Sequence, residues 1–492
     1  MKSAIPMILT EQKFKEIFDF SEENSRLAKN LYNAGLFRVR QVFTGWGKDA
    51  REWNDNQKTV FDEIEVTKSV YKGVSCRRVL KYHPLEKIMR ATKNPDFFAG
   101  LPMQTAQAVL RQVAQDFQDW LDNLKAYKKN PEAFTGRPGM PKYCRSDKKT
   151  FVVTNQDAVL YPSKDGTSGE CELKLPGFPR GHRFPLSYVS EKTKLCQMTF
   201  KPYYGTFIMT FVVEDMAPPF YPDMPNMAGL DLGVDNIAAI ACTDGSSAVY
   251  KGGAVLSENR DFAKKRASAV SILTKGTKNK KADSAFLSRL SLHHDCFIKD
   301  QMHKISTDII RFCIQHRAGT LVIGSNTYWK QHMNMGKRNN QNFGGLPHSQ
   351  LKQMIQYKAM IAGIDVVLQE ESYTSKADVT AGDFIPVYGK DKGRHTFSGR
   401  RVERGLYLCS KGYCINADCN GAANILRKAI PDAWKDVDDF HFLAAPESIG
   451  FRKLNPSVYA GKQDQRDSNK KKVHPVPSPS ADSSQKTIRA AA

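Results

Sequence analysis

Two stretches decide the fold, MAGLDLGVDNIAAIACTD (227–244) and NADCNGAANILRKAI (416–430). The first reads as a hairpin of two strands, the second as the start of a helix near Asp418. Between them lies an alternation of helices and strands. A long helix is expected at about 284–316, with Leu290, Phe297, Ile305, Ile309 and Phe312 on its buried face. TLVIG (320–324) reads as a buried strand, 349–362 as a helix, and GIDVVLQEE (363–371) as another strand. This pattern predicts a mixed α/β domain.

Upstream the character changes twice. Residues 1–150 read as mainly helical. Leu27 and Leu31 share one face of a segment ending near Gly35, and a better helix follows Pro102, with Ala106, Leu110, Val113, Phe117, Leu121 and Leu124 at steps of three or four. TGRPGMPKY (135–143) carries two prolines and two glycines and reads as a loop. From 151, the short runs FVVT, AVLY, KLCQMTF and GTFIMTFVV predict a small antiparallel sheet or barrel, and Pro218, Pro219, Pro222 and Pro225 a stiff linker. The expected organisation is therefore 1–150 helical, 151–225 β-rich with the linker, 226–455 α/β, and 456–492 a disordered basic tail rich in Ser, Pro, Lys and Gln.

The chain has 492 residues, 41% of them hydrophobic and 10% aromatic, enough for sizeable cores in more than one domain. No apolar run approaches the ~18 residues of a membrane span; the densest, 207–213, is interrupted by Thr210. Ten cysteines fall far below a disulfide scaffold, and the apolar segment of the N-terminus is too short for a secretory signal, so reduced thiols in the cytoplasm are expected. With 73 Lys and Arg against 51 Asp and Glu, the net charge is +22. It is spread along the chain: residues 1–150 hold 27 basic and 18 acidic side chains, whereas 455–492 hold seven and three. Such a field suits a nucleic acid, whose condensed counterions are released on binding.

Against this basic background a few acids stand out. Asp231 lies between Gly229 and Gly233, in the middle of the predicted strand that begins the hairpin, and Asp418 opens the last helix. Singly, each could be a turn or cap residue; together they fit a centre in which three or four carboxylates hold two Mg²⁺ ions for phosphodiester hydrolysis.

GLDLGVDNIAAI, the long helix, LVIGSN (321–326), YTSK (373–376) and NADCNGAANI, in this order, resemble the RuvC motifs of the TnpB proteins of bacterial insertion sequences and their relatives, the compact type V CRISPR effector nucleases. The resemblance is good over 226–428 and looser upstream, where QTAQAVLRQVAQDF and GRPGMPKY look like the recognition and wedge regions. It implies a multidomain α+β chain with a helical recognition region, a small β-barrel wedge and an RNase H-like (RuvC) nuclease domain. It also implies a guide RNA and double-stranded target DNA as partners, nucleoid-associated action, and cutting at one RuvC site.

Two departures matter. The strand equivalent to LVIGSN usually ends in a glutamate that completes the metal site, but here Gly324 stands there. QEESYTSK offers Glu370 and Glu371 at the end of a neighbouring strand, about 4.8 Å away. Some family members share this rearrangement. Side chains alternate, so one of the pair should face the site, and Glu371 is the choice. The expected catalytic and Mg²⁺-binding set is thus Asp231, Asp418 and Glu371 or Glu370. The second departure is the family's zinc ribbon of two C-x-x-C pairs. Only Cys409, Cys414 and Cys419 are present, at other spacings, so no structural zinc is expected. Residues 376–408 instead carry Lys390, Lys392, Arg394, Arg400, Arg401 and Arg404 and read as a basic lid for single-stranded nucleic acid.

Further nucleic-acid contacts are expected at Arg111, Lys125, Arg137, Lys142, Lys330, Lys337 and Arg338. Asp235 reads as a turn acid, and His293, His294 and His303 as packed or surface residues. The function expected is an RNA-guided DNA endonuclease, whose guide selects the sequence while the protein reads duplex shape and a short flanking motif. The alternative is a nuclease-dead RNA-guided DNA binder acting as a repressor.

Overall fold

The computed structural model describes residues 2–162, 171–186, 194–214, 223–276, 282–325, 346–389, 391, 393 and 395–456. The chain divides into two compact units, 1–217 with 277–292 and 218–276 with 293–492. The proline linker, apart from Pro225, and residues 457–492 of the expected tail lie outside the described residues.

In the first unit the elements are β1 (Lys2–Leu9), α1 (Lys15–Gly45), α2 (Asp55–Val70), α3 (Tyr82–Ala91), α4 (Met103–Lys129), β2 (Phe151–Thr154), β3 (Val159–Pro162), β4 (Cys171–Lys174), β5 (Phe184–Leu186), β6 (Lys194–Tyr203) and β7 (Thr206–Glu214). They form two antiparallel sheets, β1-β7-β6-β2 and β3-β4-β5. The helical region is not purely helical. β1 pairs along its whole length with β7, because Met7 and Leu9 alternate onto the buried face of that sheet. Nor does α1 end near Gly35. Val39 and Val42 continue its buried stripe, and Gly35 is spent on a close approach: a Cβ there would lie 3.0 Å from Leu110 Cδ2 of α4. In α4, Ala106, Leu110, Val113 and Phe117 are buried, but the expected stripe fades at Leu121 and Leu124, which are only partly covered.

The second unit contains β8 (Asn226–Asp231), β9 (Asn236–Cys242), β10 (Ser247–Lys251), α5 (Gly253–Leu273), α6 (Ala285–Gln315, counted here from His293), β11 (Ala318–Gly324), α7 (His348–Ile361), β12 (Asp365–Gln369), β13 (Arg400–Glu403), β14 (Leu406–Leu408), β15 (Cys414–Asn416), α8 (Ala417–Ala429) and β16 (Glu447–Ile449). The main sheet has the order β12-β11-β8-β9-β10-β16. The β8–β9–β10 meander is antiparallel, and β11 and β12 join it in parallel beside β8. This is the RNase H-like arrangement. β10, α5 and β16 had no counterpart in the sequence reading.

Alternation along the strands sorts the two faces. Ala228, Leu230, Leu321 and Ile323 pack under α6 and α7 with Ile305, Ile309, Leu351 and Ile355. On the other face, Val322, Ala239 and Ala241 meet Ala422, Ala423, Ile425 and Leu426 of α8. Gly229 belongs to this second face, and a Cβ on it would lie 2.1 Å from the Ala422 carbonyl oxygen. That contact sets how closely the helix lies on the sheet. Gly229→Ala is therefore expected to cost about 2–3 kcal/mol or more, since the clash is with backbone, and urea unfolding of the full-length protein measures it.

Candidate active site

Three carboxylates gather where β8, β11 and β12 end beneath the N-terminus of α8. Asp231 is the last residue of β8, not its middle as the sequence suggested. It shares the α8-facing side with Gly229, and the close approach of the helix carries Gly421 to it: a Cβ at Gly421 would lie 2.8 Å from Asp231 Oδ2. The carboxylate is partly buried, and burial, then the neighbouring charges of Glu371 and Asp418, push its pKa up to about 8 against the opposing pull of Arg401.

Asp418 is not the helix cap. Asn416 is: its side-chain oxygen accepts from the backbone N–H groups of Asp418 (3.0 Å) and Cys419 (3.1 Å). The Asp418 carboxylate is thereby left for the cleft, where the Asn236 amide donates to Oδ2 at 2.6 Å and Arg401 stands 3.7 Å from Oδ1. The helix N-terminus favours negative charge there.

Gly324 ends β11, between Asp231 and the end of β12. The register aligns Ile323 with Leu230 and Gly324 with Gln369. A Cβ on Gly324 would lie 2.5 Å from Glu371 Oε2. The carboxylate of Glu371 thus occupies the space in which a side chain at 324 would begin. β12 stops at Gln369, two residues short of the sequence expectation. Strand alternation therefore does not separate the two glutamates; a turn does, with Thr374 donating to the Glu371 carbonyl through its N–H (3.3 Å) and hydroxyl (2.8 Å). Burial and the nearby Glu370 raise the pKa of Glu371, opposed by Lys352 and Lys428. Glu370 takes other partners, the Lys428 ammonium and the Ser372 N–H, both at 2.7 Å. Despite its partial burial, these hold its pKa below the ordinary value.

Among the described residues, no three Asp, Glu, His or Cys side chains stand close enough to enclose a metal ion. The donor chemistry nonetheless fits a hard divalent cation. Carboxylate oxygens converge, and the charges of Glu371 and Asp418 raise the proton affinity of Asp231, a repulsion that a bound cation would relieve. Beside them opens a cleft of about 540 Å³, lined by Asp235, Asn236, Lys251, Arg401, Arg404 and Asp418 among others.

The expected lid is partly a packed structure. β13, β14 and β15 form an antiparallel sheet in which Tyr407 is buried and donates from its hydroxyl to the Lys376 carbonyl at 2.8 Å. Buried Asp378 accepts from the N–H groups of Thr380 and Ser410, and Asp383 from those of Asp378 and Ser398. These carboxylates fasten the region in which no zinc ribbon was expected. Cys409 and Cys419 are buried and Cys414 is exposed. Arg400, Arg401 and Arg404 are exposed on this sheet and its turn, and Arg404 is ion-paired with Asp235. Lys330, Lys337, Arg338, Lys390, Lys392 and Arg394 lie outside the described residues. In the first unit Arg111, Lys125, Arg137 and Lys142 are exposed. Arg111 covers the Tyr82 ring at 4.8 Å, and Lys125 pairs with Asp122 at 2.9 Å. Of the histidines, His294 stacks on Phe262 at 4.0 Å.

Two further residues, Asn420 and Asn424, stand in the sequence as a spacing, N-x-x-x-N, without an assigned role. Asn420 and Asn424 donate to the Ala377 carbonyl at 2.8 and 2.7 Å, and Asn424 also to that of Thr374 at 3.0 Å. They tie the YTSK stretch to α8, which explains the spacing N-x-x-x-N: two residues one helical turn apart share a face.

A family model described as "Probable transposase" (OrfB of IS605) matches residues 210–330, and one described as "Cas12f1-like, TNB domain" matches 348–425. These two segments are thus similar to a TnpB-type transposase and to a type V effector, in the same order along the chain. The TnpB-like protein ORF457 of Acidianus two-tailed virus is 29% identical over 213 residues, 42% of this chain and 43% of that protein. The chain thus spans less than half the length of this curated relative. Among solved structures, a Cas12f1–sgRNA–target DNA complex aligns over 84% of this chain and 83% of its own, at 13% identity and a TM-score of 0.48. Alicyclobacillus acidoterrestris C2c1 with single-guide RNA aligns over 89% of each chain at 9% identity and a TM-score of 0.39.

The raised pKa of Asp231 has a measurable consequence. The folded state holds this proton more tightly than the unfolded chain, so the associated stability is complete below about pH 4 and is lost as pH rises through about 8. Without divalent cations, the melting temperature should fall between pH 5 and pH 8. Asp231→Asn should flatten that fall and melt higher than the parent at pH 8, by roughly several degrees, in a calorimetric pH series.

Proposed function

We propose that the protein is an RNA-guided DNA endonuclease that binds a guide and scaffold RNA, engages double-stranded DNA beside a short flanking motif, and hydrolyses it in one RuvC site. The observation that carries this reading is the position of Glu371: its carboxylate lies against Gly324, electrostatically coupled to Asp231 as Asp231 is to Asp418. An acid set that had lapsed into a binding fold would have no reason to fill the vacant glutamate position with another glutamate.

Asp231, Glu371 and Asp418 would hold the metal. Bound there, two Mg²⁺ ions would supply activation of water and stabilisation of the leaving 3′ oxygen. The remaining work falls to the chain itself. Asn236 orients Asp418, and Asn416 frees it from capping. Arg401 and Arg404, now resting on Asp418 and Asp235, are the cations that a DNA phosphate entering the cleft would draw to itself. Arg400 extends the phosphate-binding surface of its own unit, the exposed cations of the helical unit offer phosphate contacts of their own, and the net charge of +22 favours a long polyanion such as an RNA–DNA duplex. The site of action would be the cytoplasm, at the nucleoid; no described helix is long and apolar enough to cross a membrane.

Purification with the copurifying RNA, sequencing of that RNA, and cleavage of a matching DNA in Mg²⁺ test the reading. Asp231→Ala, Asp418→Ala and Glu371→Gln should each reduce cleavage to background while DNA binding persists. Glu370→Gln, which keeps an acceptor for Lys428, should stay within about fivefold of the parent. Tight guided binding with no cleavage by the parent would instead select the nuclease-dead repressor.

A further inference from the structure

Two adjacent glutamates follow β12, and a slip of one residue would exchange which of them reaches Asp231. Something must choose, and the choice is made from α8. Lys428, in the last turn of that helix, is almost completely buried, its side chain 6% exposed. Its ammonium donates to Glu370 Oε2 at 2.7 Å, to the Ser372 carbonyl at 2.8 Å and to the Pro386 carbonyl at 3.0 Å, so its three protons each have an acceptor. The Ser372 N–H closes a second bond onto Glu370 Oε1. Beyond Ser372 the chain turns through Tyr373 at φ +63°, a left-handed conformation that a bulky residue adopts only when its surroundings impose it. Asn424, one turn before Lys428 on the same helix, takes the Thr374 carbonyl on the far side of that residue. Burying an ammonium is expensive, and an apolar side chain would fill the same space at lower cost. What the lysine supplies beyond packing is direction.

Building on the assignment of Asp231, Glu371 and Asp418 as the metal-binding acids, we propose that Lys428 is a positioning residue that sorts the glutamate pair. By holding Glu370 and the flanking carbonyls, it commits Glu371 to the side of Asp231. The same rigid helix carries Asp418 at its first turn and Lys428 ten residues later, a rise of about 15 Å. One element therefore presents one acid directly and aims another through its lysine. Lys428 touches no reacting group; it acts through Glu370 and the turn.

The test uses the full-length protein and Mn²⁺ as the probe, with binding followed by electron paramagnetic resonance and cleavage followed as a function of Mn²⁺ concentration. Lys428→Met should weaken Mn²⁺ binding, and raise the half-saturating Mn²⁺ for cleavage, by roughly 10–100-fold, as loss of an outer partner of a metal ligand does. Glu371→Gln should abolish both, and Glu370→Gln should leave both within about fivefold. If Glu371→Gln leaves Mn²⁺ binding intact, the reading of the site fails. If it abolishes binding but folded Lys428→Met binds Mn²⁺ as the parent does, only the sorting role is overturned; a collapse of binding in Glu370→Gln overturns it as well. Should Lys428→Met fail to fold, the neutral pair Glu370→Gln with Lys428→Gln, which can still hydrogen-bond, decides. Mn²⁺ affinity within about tenfold of the parent supports the role, and loss as complete as in Glu371→Gln rejects it.

Discussion

The nuclease-like half of this protein depends on how closely α8 lies on β8. The contact is made by backbone against backbone at Gly229 and Ala422, with a second glycine, Gly421, giving room to the Asp231 carboxylate. Where only glycine fits, the separation is fixed by covalent geometry and not by side chains that can adjust. Everything chemical about the site follows from that separation. The start of the helix brings Asp418 to the end of β8, its middle presents Asn420 and Asn424 to the stretch after Glu371, and its last turn delivers Lys428.

Electrostatically the site is an exception within its own molecule. A chain carrying 22 surplus positive charges brings three carboxylates together, with Glu371 and Asp418 opposing the charge of Asp231. The cations nearest to them are already engaged, Arg401 at the edge of Asp418, Lys352 on the Ser325 hydroxyl at 2.8 Å, and Lys428 on Glu370 and two carbonyls. Such an arrangement costs folding free energy, the usual companion of a site arranged for binding and chemistry.

Much of this was legible in the sequence because it rests on short-range pattern. The hairpin of β8 and β9, the long helix α6 and the final helix were marked by local pattern, and Asp231 and Asp418 by acids set between glycines or at a helix start. What escaped depends on partners distant in sequence. β1 is a strand because β7, some two hundred residues later, pairs with it. Gly35 reads as a helix end until Leu110 appears opposite it. The sequence placed both glutamates on a strand whose alternation would part them, whereas the strand ends at Gln369 and a turn tied to α8 does the parting. Lys428 carried no local signal at all, since a lysine near a helix C-terminus is ordinarily a solvated partner of the helix dipole.

The reliance on α8 also orders events in time. Asp231 is made early in its domain and Glu371 some 140 residues later, yet neither is held in its working surroundings until residues 417–428 have been synthesised and have folded down. A growing chain on the ribosome, already basic in its first half, therefore carries no assembled acid centre. Under the proposed function, binding can precede cutting during biogenesis, and a truncated product that ends before α8 would keep the basic first half without the acid centre.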